Sequence, residues 1–142
     1  MKKITLGFLL IINLLNLNAQ AKKELNKFEK MLVATWKVDS ISIPMNNLAP
    51  EYQALAKQKM QEILPNIELI ISSDQKYSMK GWTGVKDGIW TISKDGQILS
   101  VKPLDDKPVE KTKVILLTDE KLILESLNDK AKSTKIYFYK IK

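Results

Sequence analysis

The sequence predicts a mainly β protein, an antiparallel eight-stranded up-and-down β-barrel with one inserted α-helix and a short N-terminal helix. Three observations carry this. Eight short runs of β-forming residues follow one another at a spacing of roughly 8 to 12 residues, with turn residues between them. Most connections are too short for a parallel crossover, so neighbouring strands run antiparallel. A single long internal segment, Glu51 to Leu64, has helical rather than strand period. A sheet of eight consecutively paired strands curls readily, and closing it removes the exposed edges that invite aggregation.

The first residues form a targeting segment. Met1-Lys2-Lys3 is a short basic start, Ile4 to Leu17 is mostly apolar, and Ala19-Gln20-Ala21 offers the small residues that signal peptidase accepts. A transmembrane anchor is the weaker reading, because the run of 14 residues contains Asn13 and Asn16 and falls short of the roughly 20 needed to span a bilayer. Residues 1–21 are therefore expected to be a signal peptide, cut after Ala21 or after Ala19, and residues 22–142 a single barrel domain. No Cys follows the apolar run, so lipid attachment by the bacterial lipoprotein route is not expected and the product is expected to be secreted or periplasmic, with no stable membrane insertion.

In the mature part, Leu25, Phe28, Met31 and Leu32 recur at helical spacing and predict a short amphipathic helix over Lys23 to Leu32. Val33 to Ile43 reads as the first strand, with Ala34, Trp36 and Val38 alternating against Thr35, Lys37 and Asp39, and Pro44, Asn46 and Asn47 end it. Pro50 suits a first helical turn. The helix that follows places Tyr52, Leu55, Ala56, Met60, Ile63 and Leu64 on one broad face, interrupted by Lys59, and Pro65 stops it. This helix is expected to lie across one mouth of the barrel as a lid.

The remaining strands are predicted at Ile67–Ser72, Lys76–Lys80, Gly88–Ser93, Gln97–Lys102, Thr112–Leu117, Lys121–Leu127 and Thr134–Ile141. Asp95-Gly96 is the best hairpin turn, since Asp-Gly supplies the positive φ values such a turn needs. Four consecutive apolar residues hide the alternation in Thr112 to Leu117, and the final strand is apolar on both faces.

Composition narrows the chemistry. The 142 residues include no Cys and no His, so there is no thiolate nucleophile, no imidazole base, no zinc site of the usual kind and no disulfide. A non-enzymatic protein without metal or cofactor is expected. Asp105-Asp106 and Asp119-Glu120 read as turn chemistry rather than an acid-base pair, because adjacent turn residues face different ways and no nucleophile is placed nearby. The net charge of +7 is carried entirely by Lys; removing the signal segment leaves 21 lysines against 16 acids, a net +5. Nucleic acid is not an expected partner, since the lysines are scattered and no Arg is present for bidentate phosphate or guanine contacts.

Three stretches carry a family resemblance. Val33-Ala34-Thr35-Trp36-Lys37-Val38 after a short helix resembles the start of lipocalin-like barrels, whose first strand carries Gly-x-Trp. Lys86-Asp87-Gly88-Ile89-Trp90-Thr91-Ile92-Ser93 with Lys94-Asp95-Gly96 resembles the middle of small bacterial secreted lipocalin-like domains, and the stretch Val114 to Leu124 resembles their usual strand-turn-strand pattern. The chain differs in having Ala34 for the glycine, the inserted helix, and no Arg to stack on the first Trp, where Lys135 or Lys140 is a poor substitute without a planar guanidinium.

The resemblance implies a small hydrophobic or amphipathic ligand inside the barrel. Trp36, Val38, Tyr77, Met79, Trp90, Ile92, Leu99, Val101, Tyr137 and Tyr139 are the candidate lining residues. For Trp36 and Trp90 core packing is the competing role, and in a barrel the two can coincide. Trp82, between Gly81 and Gly84, is either a rim contact or packed under its loop. The rival expectation is an envelope-protein interaction or inhibitor module with a filled barrel. An eight-stranded barrel is either just filled by its side chains or holds one small ligand, so an internal void separates the two readings.

Overall fold

Eight antiparallel strands pair in sequence order, and the last returns to the first, giving a closed barrel. The computed structural model describes residues 23–81, 84–128 and 133–141; the proposed signal peptide and Trp82 lie outside the described residues.

The order is α1 (Lys27–Leu32), β1 (Ala34–Ser42), α2 (Pro50–Ile63), a 3-10 turn (Leu64–Asn66), β2 (Glu68–Ile71), β3 (Lys76–Lys80), β4 (Val85–Ile92), β5 (Ile98–Pro103), β6 (Glu110–Leu117), β7 (Lys121–Ser126) and β8 (Lys135–Lys140). The expected fold is the observed one, with strand ends displaced by up to three residues.

Helix α1 is only 6 residues long, too short to persist alone, and its ends are fixed by side chains. Asn26 Oδ1 accepts from the Glu29 N–H at 2.9 Å, while Glu29 Oε2 accepts from the Asn26 N–H at 2.8 Å, a reciprocal capping box. Glu29 is buried, and Lys23 Nζ completes its shell at 3.1 Å from Oε1. The helix ends at Leu32, whose carbonyl accepts from Trp36 Nε1 at 2.8 Å. The first strand's tryptophan thus ties the helix to the barrel.

In β1 the inward residues Ala34, Trp36 and Val38 are buried. A bulge between Val38 and Ser40 in the pairing with β8 then shifts the phase, so that Ile41 pairs with Ile136 and packs against the core. A second bulge lies between Val114 and Leu116 in β6. It resolves the apolar run there, since Val114 and Leu117 pack on the core whereas Ile115 and Leu116 are exposed.

The core comprises Trp36, Val38, Leu69, Ile71, Tyr77, Trp90, Leu99, Leu122, Leu124 and Phe138, with Leu32 and Ile67 at its margins. Burying each large apolar side chain contributes about 1.5–3 kcal/mol, so the cysteine-free chain is held by this cluster. One end of the barrel carries the tight connections between β2 and β3, β4 and β5, and β6 and β7. The other carries α2 and the longer loops.

Helix α2 corrects one expectation. None of its residues is fully buried and none lines the barrel cavity, so it is not a lid over that space. Its apolar stripe is interrupted, its N-cap Ala49 makes no side-chain bond, and Tyr52 is 61% exposed. The helix meets the barrel at its C-terminal end instead, where Ile63 and Leu64 pack on the core and the 3-10 turn lies against β1. No helix among the described residues is long and apolar enough to cross a membrane.

Candidate functional site

The interior is not filled. A cavity of about 700 Å³ opens in the barrel, bounded by inward residues of β2 to β8 and by the loop between β5 and β6. Its apolar wall includes Leu69, Ile71, Met79, Leu99, Val101, Leu124, Ile136 and Phe138. The alternation of the strands explains the grouping: residues two apart on neighbouring strands share one face, and the register sets Leu69 beside Met79, Ile71 beside Tyr77, and Leu124 beside Ile136.

Of the candidate lining residues, Tyr77, Met79, Leu99 and Val101 are brought together around the cavity. Trp36, Val38, Trp90 and Ile92 belong to the core and do not line it. Both tryptophans are fully buried with their indole N–H groups satisfied by main-chain carbonyls, Trp36 by Leu32 and Trp90 by Ser72 at 3.0 Å. They close the short-turn end of the barrel.

Tyr137 and Tyr139 are corrected. Ile136 and Phe138 face the cavity, so strand alternation turns the two tyrosines outward, and Tyr139 is 42% exposed. The strand is apolar on both faces, and its phase is fixed by pairing: Phe138 sits opposite Val38 and Leu122, which are both core residues. The same register places Lys140 opposite Trp36, and Lys135 opposite Ser42 at the far end of β1.

Several lining residues were absent from the sequence-based set. Leu69 and Ile71 had a visible signal, the alternation of Ile67, Leu69 and Ile71 against Glu68. The charged and polar rim of Lys86, Asp87, Asp105, Lys107, Glu110, Thr112, Ser126 and Thr134 had none, because loop path and strand tilt decide which polar residues meet there.

At the rim Lys107 Nζ bonds the Asp105 carboxylate. That pairing lowers the carboxyl pKa of Asp105 and raises that of the Lys107 ammonium. Asp106 adopts φ 56° in the same loop. The turn geometry is as expected for these acids, and the structure adds the ion pair.

Tyr77 is the polar element within the apolar wall. It is 6% exposed, and its ring lies beside Gly88 on β4. Burial pushes its phenol above the usual value of 10.0, and the carboxylates of Glu110, Asp105 and Asp87 add to the effect. The group is a neutral hydrogen-bonding phenol throughout the neutral range.

No family model matches the sequence, and no curated protein matches it. Among solved structures, the fold is similar to that of a DUF4847 family protein from Bacteroides vulgatus, with TM-score 0.56 and 13% identity over 80% of this chain and 96% of that one. It is also similar to a lipocalin-like protein from Bacteroides uniformis, with TM-score 0.55 and 15% identity over 78% of this chain and 99% of that one. At these identities the shared property is the fold, an eight-stranded lipocalin-like barrel.

Proposed function

We propose that the protein is exported by the segment at residues 1–21 and holds one small hydrophobic or amphipathic molecule inside its barrel, without catalysing a reaction on it. The observation that supports this most directly is the open, largely apolar cavity of about 700 Å³, within the range of roughly 300–1,000 Å³ typical of small-molecule sites. Leaving such a void forfeits packing that a filled core would gain, and a ligand restores it. The lack of His and Cys supports a binding rather than a catalytic role.

The first test is organic extraction of the purified protein followed by mass spectrometry for co-purified lipid, with titration of a hydrophobic dye and a fatty-acid panel against Trp fluorescence. A co-purified apolar molecule, or saturable dye binding at one site, is the expected result. Neither appearing would remove the reading. The role would then pass to the outer surface, where exposed Tyr52 and Leu55 on α2 favour contact with an envelope protein. The version of that alternative with a solid barrel interior does not fit the cavity.

A further inference from the structure

Resting on the ligand-binding reading above, the cavity also carries information about the polar group of its ligand. Tyr77 lines it, and the chain leaves the Tyr77 hydroxyl without a hydrogen-bond partner among the described residues. No fully enclosed side-chain polar atom lacks a partner among those residues, so this hydroxyl opens on the cavity. Its position is set by the sheet. Tyr77 pairs across β3 and β4 with Gly88, and a side chain at position 88 would collide with its ring.

A phenol hydroxyl that opens on the cavity from an apolar wall, with no partner among the described residues, is placed to donate to or accept from a ligand atom there. The charges around it constrain that atom. Asp87, Asp105 and Glu110 line the cavity together with Lys86 and Lys107, and Lys107 is engaged by Asp105. Outside that pair, a carboxylate brought to Tyr77 would meet two acids, Asp87 and Glu110, against a single lysine, Lys86. An ammonium would find acids at the rim but would be desolvated against the apolar wall, where a phenol donor offers it no charge.

We infer that the cavity selects an amphipathic molecule whose polar group is uncharged and accepts a hydrogen bond from Tyr77 Oη, as an alcohol or carbonyl does, and that it discriminates against anionic headgroups. Tyr77 is the specificity-determining residue of the site, and the aliphatic wall takes the rest of the molecule.

The test uses the purified protein at pH 7, N-phenyl-1-naphthylamine as a neutral reporter dye, and three competitors of equal chain length: 1-dodecanol, dodecanoate and dodecylamine. The expected result is displacement by 1-dodecanol at concentrations about tenfold or more below the other two. In Tyr77→Phe, which keeps the ring against Gly88, the affinity for 1-dodecanol relative to that for the dye should fall about tenfold, the loss expected for one hydrogen bond. Dodecanoate or dodecylamine competing as well as 1-dodecanol overturns the inference, as does an unaltered 1-dodecanol affinity relative to the dye in the variant, and either leaves the binding cavity standing. Failure of the dye and all three competitors to bind removes the cavity reading and this inference with it. The headgroup comparison is made on the unmodified protein and does not depend on the variant folding.

Discussion

Tyr77 and Gly88 face one another across β3 and β4, and the ring of Tyr77 occupies the space a side chain at position 88 would need. A Cβ on Gly88 would come 2.6 Å from Tyr77 Cε1 and closer still to the Lys102 carbonyl oxygen on β5. The tyrosine has some freedom to yield, whereas the carbonyl belongs to the β4–β5 ladder, in which Lys102 pairs with Ile89. Glycine is required here for the close approach of two strands and an aromatic ring. Gly88→Ala is expected to destabilise the fold by about 1–3 kcal/mol, the usual cost of overpacking, measured by urea denaturation. An unchanged midpoint would mean that the strands separate more easily than this contact allows.

Trp36 joins the helix to the barrel through one hydrogen bond, from Nε1 to the Leu32 carbonyl. Trp36→Phe keeps an aromatic ring but leaves that carbonyl unpaired in a buried setting and removes part of the packing. The expected loss is about 1–3 kcal/mol from the unsatisfied group, with an additional packing cost. Because Trp36 does not line the cavity, dye affinity of the folded variant should match that of the parent. Parallel loss of binding in a fully folded variant would place the indole in the ligand site after all.

Glu29 gives the fold a specific response to acid. The Asn26 backbone N–H, then the Lys23 ammonium, lower its pKa below the ordinary 4.5. Folding therefore favours the ionised form. The resulting stabilisation is complete above about pH 4.5 and is lost as pH falls through the lower folded-state value. Melting temperatures of the parent and Glu29→Gln, recorded from pH 6 to pH 3, should converge toward the acid end, because only the parent has this contribution to lose. Curves that stay parallel would show that the capping carboxylate is not linked to folding.

Much of the barrel is legible in the sequence, and the reasons are local. Lys76–Lys80 follows the tight turn after β2 and presents its alternation plainly, with Tyr77 and Met79 set against Ser78. The turn at Asp95-Gly96 forms as expected, but only Gly96 takes a positive φ, +73°, while the Asp95 carboxylate accepts from the Ser93 hydroxyl and the Gln97 N–H. Tyr77, Met79, Leu99 and Val101 could be assigned inward because polar residues separate them from the next apolar one. Tyr137 and Tyr139 could not, since Ile136-Tyr137-Phe138-Tyr139 has no polar residue to mark a face and the choice is made by register with β1 and β7. The bulge at Val114 is equally invisible, because an extra residue in an apolar run leaves the run apolar. The period of α2 marks it as a helix, but its placement depends on where the 3-10 turn directs the chain, a relation that no stripe of apolar residues encodes.

Enlarging a cavity-lining side chain separates an empty interior from a filled one by its effect on stability. Val101 is half-buried, lines the cavity and pairs with Trp90 on one side and Glu110 on the other. In a filled core, Val101→Trp would force neighbours off their rotamers and cost about 1–3 kcal/mol or more. Projected into a void of about 700 Å³, the indole finds space and new contacts, so the change in stability should be small or favourable. The same ring takes volume from the ligand, and dye affinity should fall about tenfold or more. The two measurements, urea denaturation and dye titration, are made on one variant and move in opposite directions only if the space is empty and is the binding site. A large loss of stability would show that the barrel is packed at Val101, whereas retained stability with unchanged dye binding would place the dye elsewhere on the protein.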